Sequence, residues 1–236
     1  MALVDITPDL LEAIQKDFRK SINGNPAIDR IVKLMAEGNA TYTDANNLAV
    51  WTGQMLSTAL SNNITPGLLP DDRMYFNIAD RILGPMLEEN HELIASATAT
   101  IQTSMNRKIG LGVQGLKPKI NQDRVKGLIN RVAKEESFEK ARWLLDEPIV
   151  NFSQSVVDDA IRANVNFLSE AGLQSMIIRE VVGDACDWCK EIAGNYTYPD
   201  IPDDVYRRHD RCRCTVVSYY GKTKQDVWSK VVTTIK

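Results

Sequence analysis

All four cysteines of the chain, and one of its two histidines, lie within residues 183–221, in the stretch GDACDWCKEIAGNYTYPDIPDDVYRRHDRCRCTVVSYYG. Cys186 and Cys189 are separated by two residues, and His209 and Cys212 have the same separation. Two such pairs can supply the four nitrogen and sulfur ligands of a tetrahedral zinc ion, and the spacer between them is long enough for the chain to turn back. The pattern therefore predicts a structural zinc site formed by Cys186, Cys189, His209 and Cys212.

The stretch HDRCRC leaves the last ligand open, because it offers three candidates where two are needed. If a strand begins at Arg211, Cys212 and Cys214 lie on the same face of it, and either could reach the metal. The equal spacing of the two pairs favours His209 with Cys212, and Cys214 is the alternative. An alternative four-thiolate set consists of Cys186, Cys189, Cys212 and Cys214.

The cellular compartment bears on the choice between metal and disulfides. The first residues, MALVDITPDLLEAIQKDF, show no basic leader, apolar segment or cleavage site typical of secretion, and no later stretch reaches the length of a membrane span. These features predict a protein made in a cytoplasm, where clustered cysteines more often bind metal or do redox chemistry than form disulfides. Two disulfides, reduced thiols without metal, and a thioredoxin-type C-x2-C redox motif are the competing interpretations. A redox motif normally follows the first strand of its fold, whereas this pair follows a mainly helical stretch.

Hydrophobic periodicity predicts a mainly helical N-terminal part. Apolar residues recur at helical spacing in TPDLLEAIQKDFRKSI, in residues 26–37, in the stretch that follows a predicted cap at Thr43, and from Arg73 to about Arg107. Pro85 should kink or divide the last of these helices. The segment KIGLGVQGLKPKI, with three glycines and a proline, has no helical period and predicts a linker or an exposed loop.

The pattern changes after Gly172, where a second helical stretch ends. LQSMIIREVV and CTVVSYY are short and rich in β-branched residues, so they predict strands, and TKQDVWSKVVTTIK predicts a final helix with a capping box of Thr223 and Asp226. The expected fold class is a mainly α N-terminal part with a small α+β zinc-stapled C-terminal domain. The predicted segments are a helical domain at 1–107, a Gly/Pro linker or loop at 108–120, helices at 121–172 and a Cys/His metal-binding module at 173–236.

A basic segment precedes this module. Residues 101–134 hold eight basic residues and one acidic residue, in a chain whose net charge is −3. Such a local excess favours a surface for phosphate or an acidic partner, although a solvated loop and helix face has the same composition. The candidate contacts with nucleic acid or an acidic partner are Arg107, Lys108, Lys117, Lys119, Arg124, Lys126 and Arg131.

The sequence predicts no catalytic residues. Carboxylates such as Asp184 and Asp187 lie near the cysteines, but nothing fixes roles for them in a metal-dependent reaction. His209 is assigned to the metal, and His91, the other histidine, lies in a polar run that predicts an exposed side chain. We therefore expect a protein that is not an enzyme.

Several residues of the C-terminal part, within about residues 155–220, form a pattern with a characteristic order and spacing. Its members are Arg162, Asn164, Gly172, Cys186, Cys189, Gly194, Pro199, Pro202, His209, Cys212, Arg213 and Cys214. In this order and spacing the stretch resembles the C-terminal domain of the Mu F-like minor head proteins of tailed phages, also called the phage head morphogenesis family. Asp210 stands where that family usually has proline. Residues 1–150 resemble the family only in their helical character.

The resemblance implies a structural minor capsid protein that associates with the portal inside the head during morphogenesis. It also implies packaging with the genome, an influence on DNA packaging or ejection, and a location in the host cytoplasm during assembly and then in the virion interior. The implied partners are portal or capsid protein and packaged DNA, with no membrane and with an oligomeric state set by the partner. Two alternatives remain, a zinc-containing nucleic-acid-binding module and a hydrolase or toxin effector.

Overall fold

The computed structural model describes residues 5–221, 223–225 and 232–234. It is mainly helical with a small antiparallel sheet near the C-terminus, which confirms the predicted fold class. The helices are α1 (Thr7–Ile22), α2 (Pro26–Ala36), α3 (Tyr42–Asn63), α4 (Phe76–Lys108), α5 (Gln122–Lys134), α6 (Phe138–Ala141), α7 (Glu147–Glu170) and α8 (Asp187–Glu191). The strands are β1 (Ser175–Glu180), β2 (Gly194–Thr197), β3 (Thr215–Tyr220), β4 (Thr223–Gln225) and β5 (Val232–Thr234).

The start of α3 is fixed by a capping box two residues before the predicted cap. The Asp44 backbone N–H donates to Thr41 Oγ1 over 3.4 Å, and the Asp44 carboxylate accepts from the Thr41 backbone N–H over 2.8 Å. The prediction of Thr43 as the cap was wrong because only Thr41 has an acidic residue three positions later that can complete this exchange. Pro85 lies inside α4, which is one helix from Phe76 to Lys108.

One apolar core connects the helices and reaches the sheet. Phe18, Leu56 and Leu83 are fully buried in it, and Ile177 of β1 and Val216 of β3 belong to the same cluster. Each such side chain contributes about 1.5–3 kcal/mol through removal from water. The strands are therefore packed directly on the helices.

The crossing of α3 and α7 depends on a glycine. A Cβ atom added at Gly53 would lie 2.7 Å from Ser153 Oγ and 2.9 Å from the Val150 Cα atom. These distances are shorter than any normal contact with a carbon atom, so a larger residue at position 53 would force the helices apart. The two helices are the main support of the loops described below.

Residues 109–121 contain neither helix nor strand, and they lie against α4 and α7. A Cβ atom at Gly115 would meet the Ala99 carbonyl oxygen at 2.5 Å. The Asn164 side chain accepts from the Leu116 N–H over 2.7 Å and donates to the Leu116 carbonyl over 3.0 Å. Asn164 thereby satisfies the backbone of an extended segment that no sheet neighbour pairs within the described chain.

The larger sheet has the order β2-β1-β3, with both pairs antiparallel. The predicted strands in LQSMIIREVV and CTVVSYY correspond to β1 and β3. The predicted final helix was wrong at residues 223–225 and 232–234, because these residues form β4 and β5, which pair with each other. Asp226, half of the predicted capping box, lies outside the described residues.

Within the described ranges, every helix falls short of the length or the apolar character that crossing a membrane requires.

Candidate metal centre

The register of the sheet brings the cysteine loops to one place. Glu180 at the end of β1 lies opposite Thr215 at the start of β3, and Arg179 lies opposite Gly194 at the start of β2. The loop that leaves β1 and the loop that enters β3 therefore meet at the same end of the sheet. Together they carry Cys186, Cys189, His209, Cys212 and Cys214.

The first cysteine pair is oriented by the short helix α8. Cys186 is its N-cap, with extended backbone, and its Sγ accepts from the Cys189 N–H over 3.4 Å. A single helical turn then directs Cys189 inward, where it is 1% exposed, while Cys186 stays exposed. The two sulfurs therefore approach the centre from opposite directions, one from solvent and one from the core.

The second pair is oriented by a tight turn. The Cys212 N–H donates to the His209 carbonyl over 3.1 Å, and Arg211 takes a left-handed backbone conformation with φ 60°. Such a conformation is unfavourable for a residue with a side chain and has to be stabilised by its surroundings. The turn brings the His209 ring and the Cys212 thiol to the same side of the loop as the first pair.

The five side chains form two overlapping groups that can hold a metal ion. One group is Cys186, Cys189 and His209, the other is Cys189, Cys212 and Cys214, and within each group the ligand atoms lie within 4.8 Å of one another. His209 Nε2 lies 3.2 Å from Cys186 Sγ and 2.9 Å from Cys189 Sγ, and the sulfurs of Cys189 and Cys212 are 3.8 Å apart. Cys189 belongs to both groups and is the centre of the cluster.

A hydrogen bond of the His209 ring determines which of its two nitrogens can bind a metal ion. His209 Nδ1 lies 2.7 Å from the Asp210 carbonyl oxygen, which can only accept a hydrogen bond. The proton is therefore on Nδ1, and the lone pair of Nε2 faces the sulfurs of Cys186 and Cys189. Metal-bound histidines are normally held in this way by a second hydrogen bond. The edge of the Trp188 ring system packs on His209, with centroids 5.8 Å apart.

Arg179 is a buried cation directly beside the thiols. It is 1% exposed, and its Nη2 donates to Cys189 Sγ over 3.9 Å and to Cys212 Sγ over 3.7 Å. Its Nη1 donates to the Val205 carbonyl, and its guanidinium lies 5.6 Å from the centroid of the Trp188 ring. A buried guanidinium needs a negative partner. The sulfurs supply one when they are deprotonated, as they are in a metal site.

Arg208 connects the same loop to the helices. It forms a buried two-pronged ion pair with Asp158 of α7, and its Nη1 donates to the Cys214 carbonyl over 2.8 Å. Burial disfavours the thiolate of Cys212, yet the charges of Arg208 and Arg179 and a backbone hydrogen bond from Cys214 lower the pKa of Cys212 below its ordinary value.

The pKa of Cys189 is shifted in the opposite direction, above its ordinary value. Burial, together with its contact to Cys214, raises the pKa of Cys189 to about 12. Without a metal the cluster therefore holds a protonated Cys189 beside the more acidic Cys212. A bound cation would remove this difference, because metal ligands must be deprotonated.

Most of the predicted basic contacts line one of three different cavities or grooves. Arg107 and Lys108 line a groove beside Gly38, Lys117 and Lys119 line another with His91, and Arg124 and Arg131 line a third cavity with Arg207. Lys126 is exposed on α5. Two of the seven are paired with carboxylates, Lys117 with Glu92 and Arg124 with Asp159.

Sequence reasoning missed Arg179, Asp158 and the burial of His91. Arg179 interrupts the apolar strand MIIREVV, and Asp158 lies in the apolar run SVVDDAI, so a charged residue inside an apolar stretch was the available signal. The prediction that His91 is exposed was wrong, because α4 buries it to 8% exposure. Its polar sequence neighbours do not indicate which side of the helix packs inward.

Among the described residues, the ligand groups of the centre consist of cysteine sulfurs and one imidazole, which favour zinc, copper(I) or iron over magnesium or calcium. Comparison with protein-family models, curated proteins and solved structures finds no match to this chain.

Proposed function

We propose that this centre holds one structural zinc ion. The distance of 3.8 Å between the sulfurs of Cys189 and Cys212 supports the proposal of zinc. Two sulfurs bound to one tetrahedral zinc at about 2.3 Å are separated by about 3.8 Å. His209 is a further proposed ligand, because its unprotonated Nε2 faces both cysteines of the first pair.

The proposed ligands are Cys186, Cys189, His209 and Cys212. The contact of His209 with both Cys186 and Cys189 favours this set over four thiolates. Arg179 favours Cys212 over Cys214, because it donates to the sulfurs of Cys189 and Cys212 and so compensates their charge. Three thiolates and one histidine with zinc carry one negative charge, which a single arginine neutralises. With four protein ligands the ion has no open position for a substrate and acts in stabilising the fold.

We further propose that the chain is a minor head protein of a tailed phage, associated with the portal inside the capsid. The observation that supports this proposal is that several residues of the family pattern have defined structural roles, since its cysteines and histidine lie in the candidate metal centre and others hold the flanking segments. Arg162 pairs with Asp203 in the loop between the ligand pairs, and Arg213 pairs with Glu147 at the start of α7. Gly172 takes φ 92°, a conformation that favours glycine, at the turn from α7 toward β1.

The zinc proposal is tested by elemental analysis of the purified full chain, with a thiol count under denaturing, non-reducing conditions. We expect one zinc ion per chain and four free thiols. Cys214→Ser should keep the zinc, and Cys212→Ser should lose it. Loss of zinc in Cys214→Ser alone would assign the fourth position to Cys214, and absence of metal together with absence of free thiols would contradict the site.

The head-protein proposal is tested on particles assembled by the phage whose genome encodes the chain. Quantitative mass spectrometry of purified procapsids and virions should find the chain at low copy number. Procapsids assembled without the portal should lack it. Its absence from both kinds of particle would contradict the proposal and leave the zinc site unaffected.

A further inference from the structure

A cavity of about 450 Å³ lies between α5, the start of α7 and the residues just before His209. Its wall is apolar where Leu128, Pro148 and Phe152 contribute, and arginines from two distant parts of the sequence lie around it. Arg124 and Arg131 come from α5, whereas Arg207 comes from the cysteine loop. The fold thus joins part of the basic segment before residue 134 with the first two arginines of RRHDRCR, Arg207 and Arg208.

The three arginines Arg124, Arg131 and Arg207 around the cavity have N–H groups that can bind an anion. Arg131 stacks on Trp143, with the guanidinium carbon 5.2 Å from the ring, and pairs with no carboxylate within residues 5–221. Arg207 pairs through one nitrogen with Asp204 in an exposed pair that contributes about 0–1 kcal/mol. Arg124 also uses one nitrogen, toward Asp159. Each of these guanidinium groups retains further N–H donors.

Two other charged residues limit what the cavity can attract. Arg208 is neutralised by Asp158, and Asp210 also lines the cavity. The charge that remains is modest, so a bare anion gains little from the cavity. A ligand that also uses the apolar wall gains more.

Two buried polar groups in the lining lack hydrogen-bond partners among the described residues. Tyr206 is 7% exposed, and its hydroxyl has no partner, while the Oδ1 atom of Asn151 is buried and accepts no hydrogen bond. A buried unpaired polar atom costs about 1–3 kcal/mol. Both atoms are shielded from the open cavity, so they do not decide which ligand it takes.

We propose that this cavity binds a nucleotide, with the base against Phe152 and the phosphate on Arg131 and Arg207. A nucleotide combines the two properties that the lining favours, namely a flat apolar ring and an anion. Arginine forks match phosphate oxygens in pairs, and bases stack on aromatic side chains. The source is a free nucleotide or an unpaired nucleotide of a DNA or RNA strand. None of the side chains that line the cavity is a proposed metal ligand, so the nucleotide site can be tested in the metal-loaded chain and separately from the head-protein proposal.

Isothermal titration calorimetry of the full chain tests this with adenosine monophosphate, adenosine and inorganic phosphate. We expect the monophosphate to bind more tightly than either part alone. The double variant Arg131→Gln/Arg207→Gln should weaken its binding about tenfold or more, because charge-assisted hydrogen bonds are lost. The matched control Lys134→Gln/Lys140→Gln removes the same charge from α5 and α6 outside the cavity and should change the affinity less than about twofold.

Three results would overturn the proposal. Equal affinity for phosphate and adenosine monophosphate would indicate a plain anion site, and equal loss in both double variants would indicate diffuse attraction. Displacement of the nucleotide by a short polyglutamate peptide at a lower concentration than an oligonucleotide needs would indicate an acidic protein partner. Competition between adenosine monophosphate and a short single-stranded oligonucleotide shows whether the cavity prefers a free nucleotide or a nucleotide of a strand. Tighter binding of either one agrees with the proposal.

Discussion

The helical body, residues 5–172, and the Cys/His module, residues 173–221, are stabilised by different forces. The body buries large apolar side chains such as Phe18, Leu56 and Leu83. The module has a separate small cluster of Cys189, Cys212 and Cys214, against which Trp188 packs. The strands of the module share the core of the body, but its loops bury few large apolar side chains and gather sulfur and charged groups instead, which are the groups that a metal or ion pairs can stabilise.

The junction between the two parts is polar as well as apolar. Arg208 with Asp158, Arg213 with Glu147 and Arg162 with Asp203 all connect the module to α7. Only the first of these pairs is fully buried. The energetic contribution of the junction should therefore be concentrated in Asp158.

Removal of the proposed zinc ion should have the largest effect, because it should destabilise the module and leave the body folded. Structural zinc contributes about 10–16 kcal/mol in small zinc domains, which is comparable with or larger than the total stability of most domains. In Cys189→Ser, or after treatment with a chelator, we expect the amide protons of β1 and β3 to lose protection from hydrogen exchange while those of α3 and α4 keep it.

Hydrogen exchange followed by mass spectrometry resolves these segments. The matched control is Cys214→Ser, which changes a buried cysteine outside the proposed ligand set and should retain protection in β1. Equal loss of protection in α3 and β1 of Cys189→Ser would show that the parts unfold together, and the comparison would fail.

The next largest effect is expected at the junction. Asp158→Asn leaves the buried Arg208 without a negative partner, which should lower the free energy of unfolding by about 3–5 kcal/mol. Urea denaturation followed by circular dichroism measures this change.

The neighbouring variant Asp159→Asn is its control. Burial raises the pKa of Asp159 despite the charge of Arg124, so its carboxylate is poorly stabilised, and its substitution should cost about 1 kcal/mol or less. Similar losses in both variants would assign the effect to α7 in general instead of to the Arg208 pair.

The smallest effect is expected within the body. Thr41→Ala removes the capping box of α3 and should lower the free energy of unfolding by about 1 kcal/mol. Thr43→Ala, two residues later and also exposed, should have almost no effect. Zinc content should be unchanged in both variants, and a loss of zinc in Thr41→Ala would mean that the body and the module are more strongly coupled than the comparison implies.

Much of the fold could be predicted from sequence because the helices are amphipathic. α2, for example, begins at Pro26 and places Ile28 and Ile31 inward, as their spacing indicates. The sequence distance between Cys186 and Cys189 likewise predicts a shared ligand site. Both inferences depend on local geometry, which the sequence contains directly.

Other features depend on contacts between distant residues. Lys224 pairs with Thr233 across β4 and β5, and no local pattern in TKQDVWSKVVTTIK reveals this pairing. The thiol contacts of Arg179 require the β1 register, the turn at Arg211 and α8 at once. The grouping of Arg131 with Arg207 is equally invisible, because 75 residues separate them in the chain.

The close crossing at Gly53 has a consequence for recognising related chains. A side chain at this position would collide with Val150 and Ser153, on the same helix that carries Asp158 to Arg208. A homologue that keeps this helix crossing should therefore retain glycine at 53 and a small residue at 153, even if its cysteines have been replaced. This pair of positions is a signature by which distant members that have lost the metal could still be aligned.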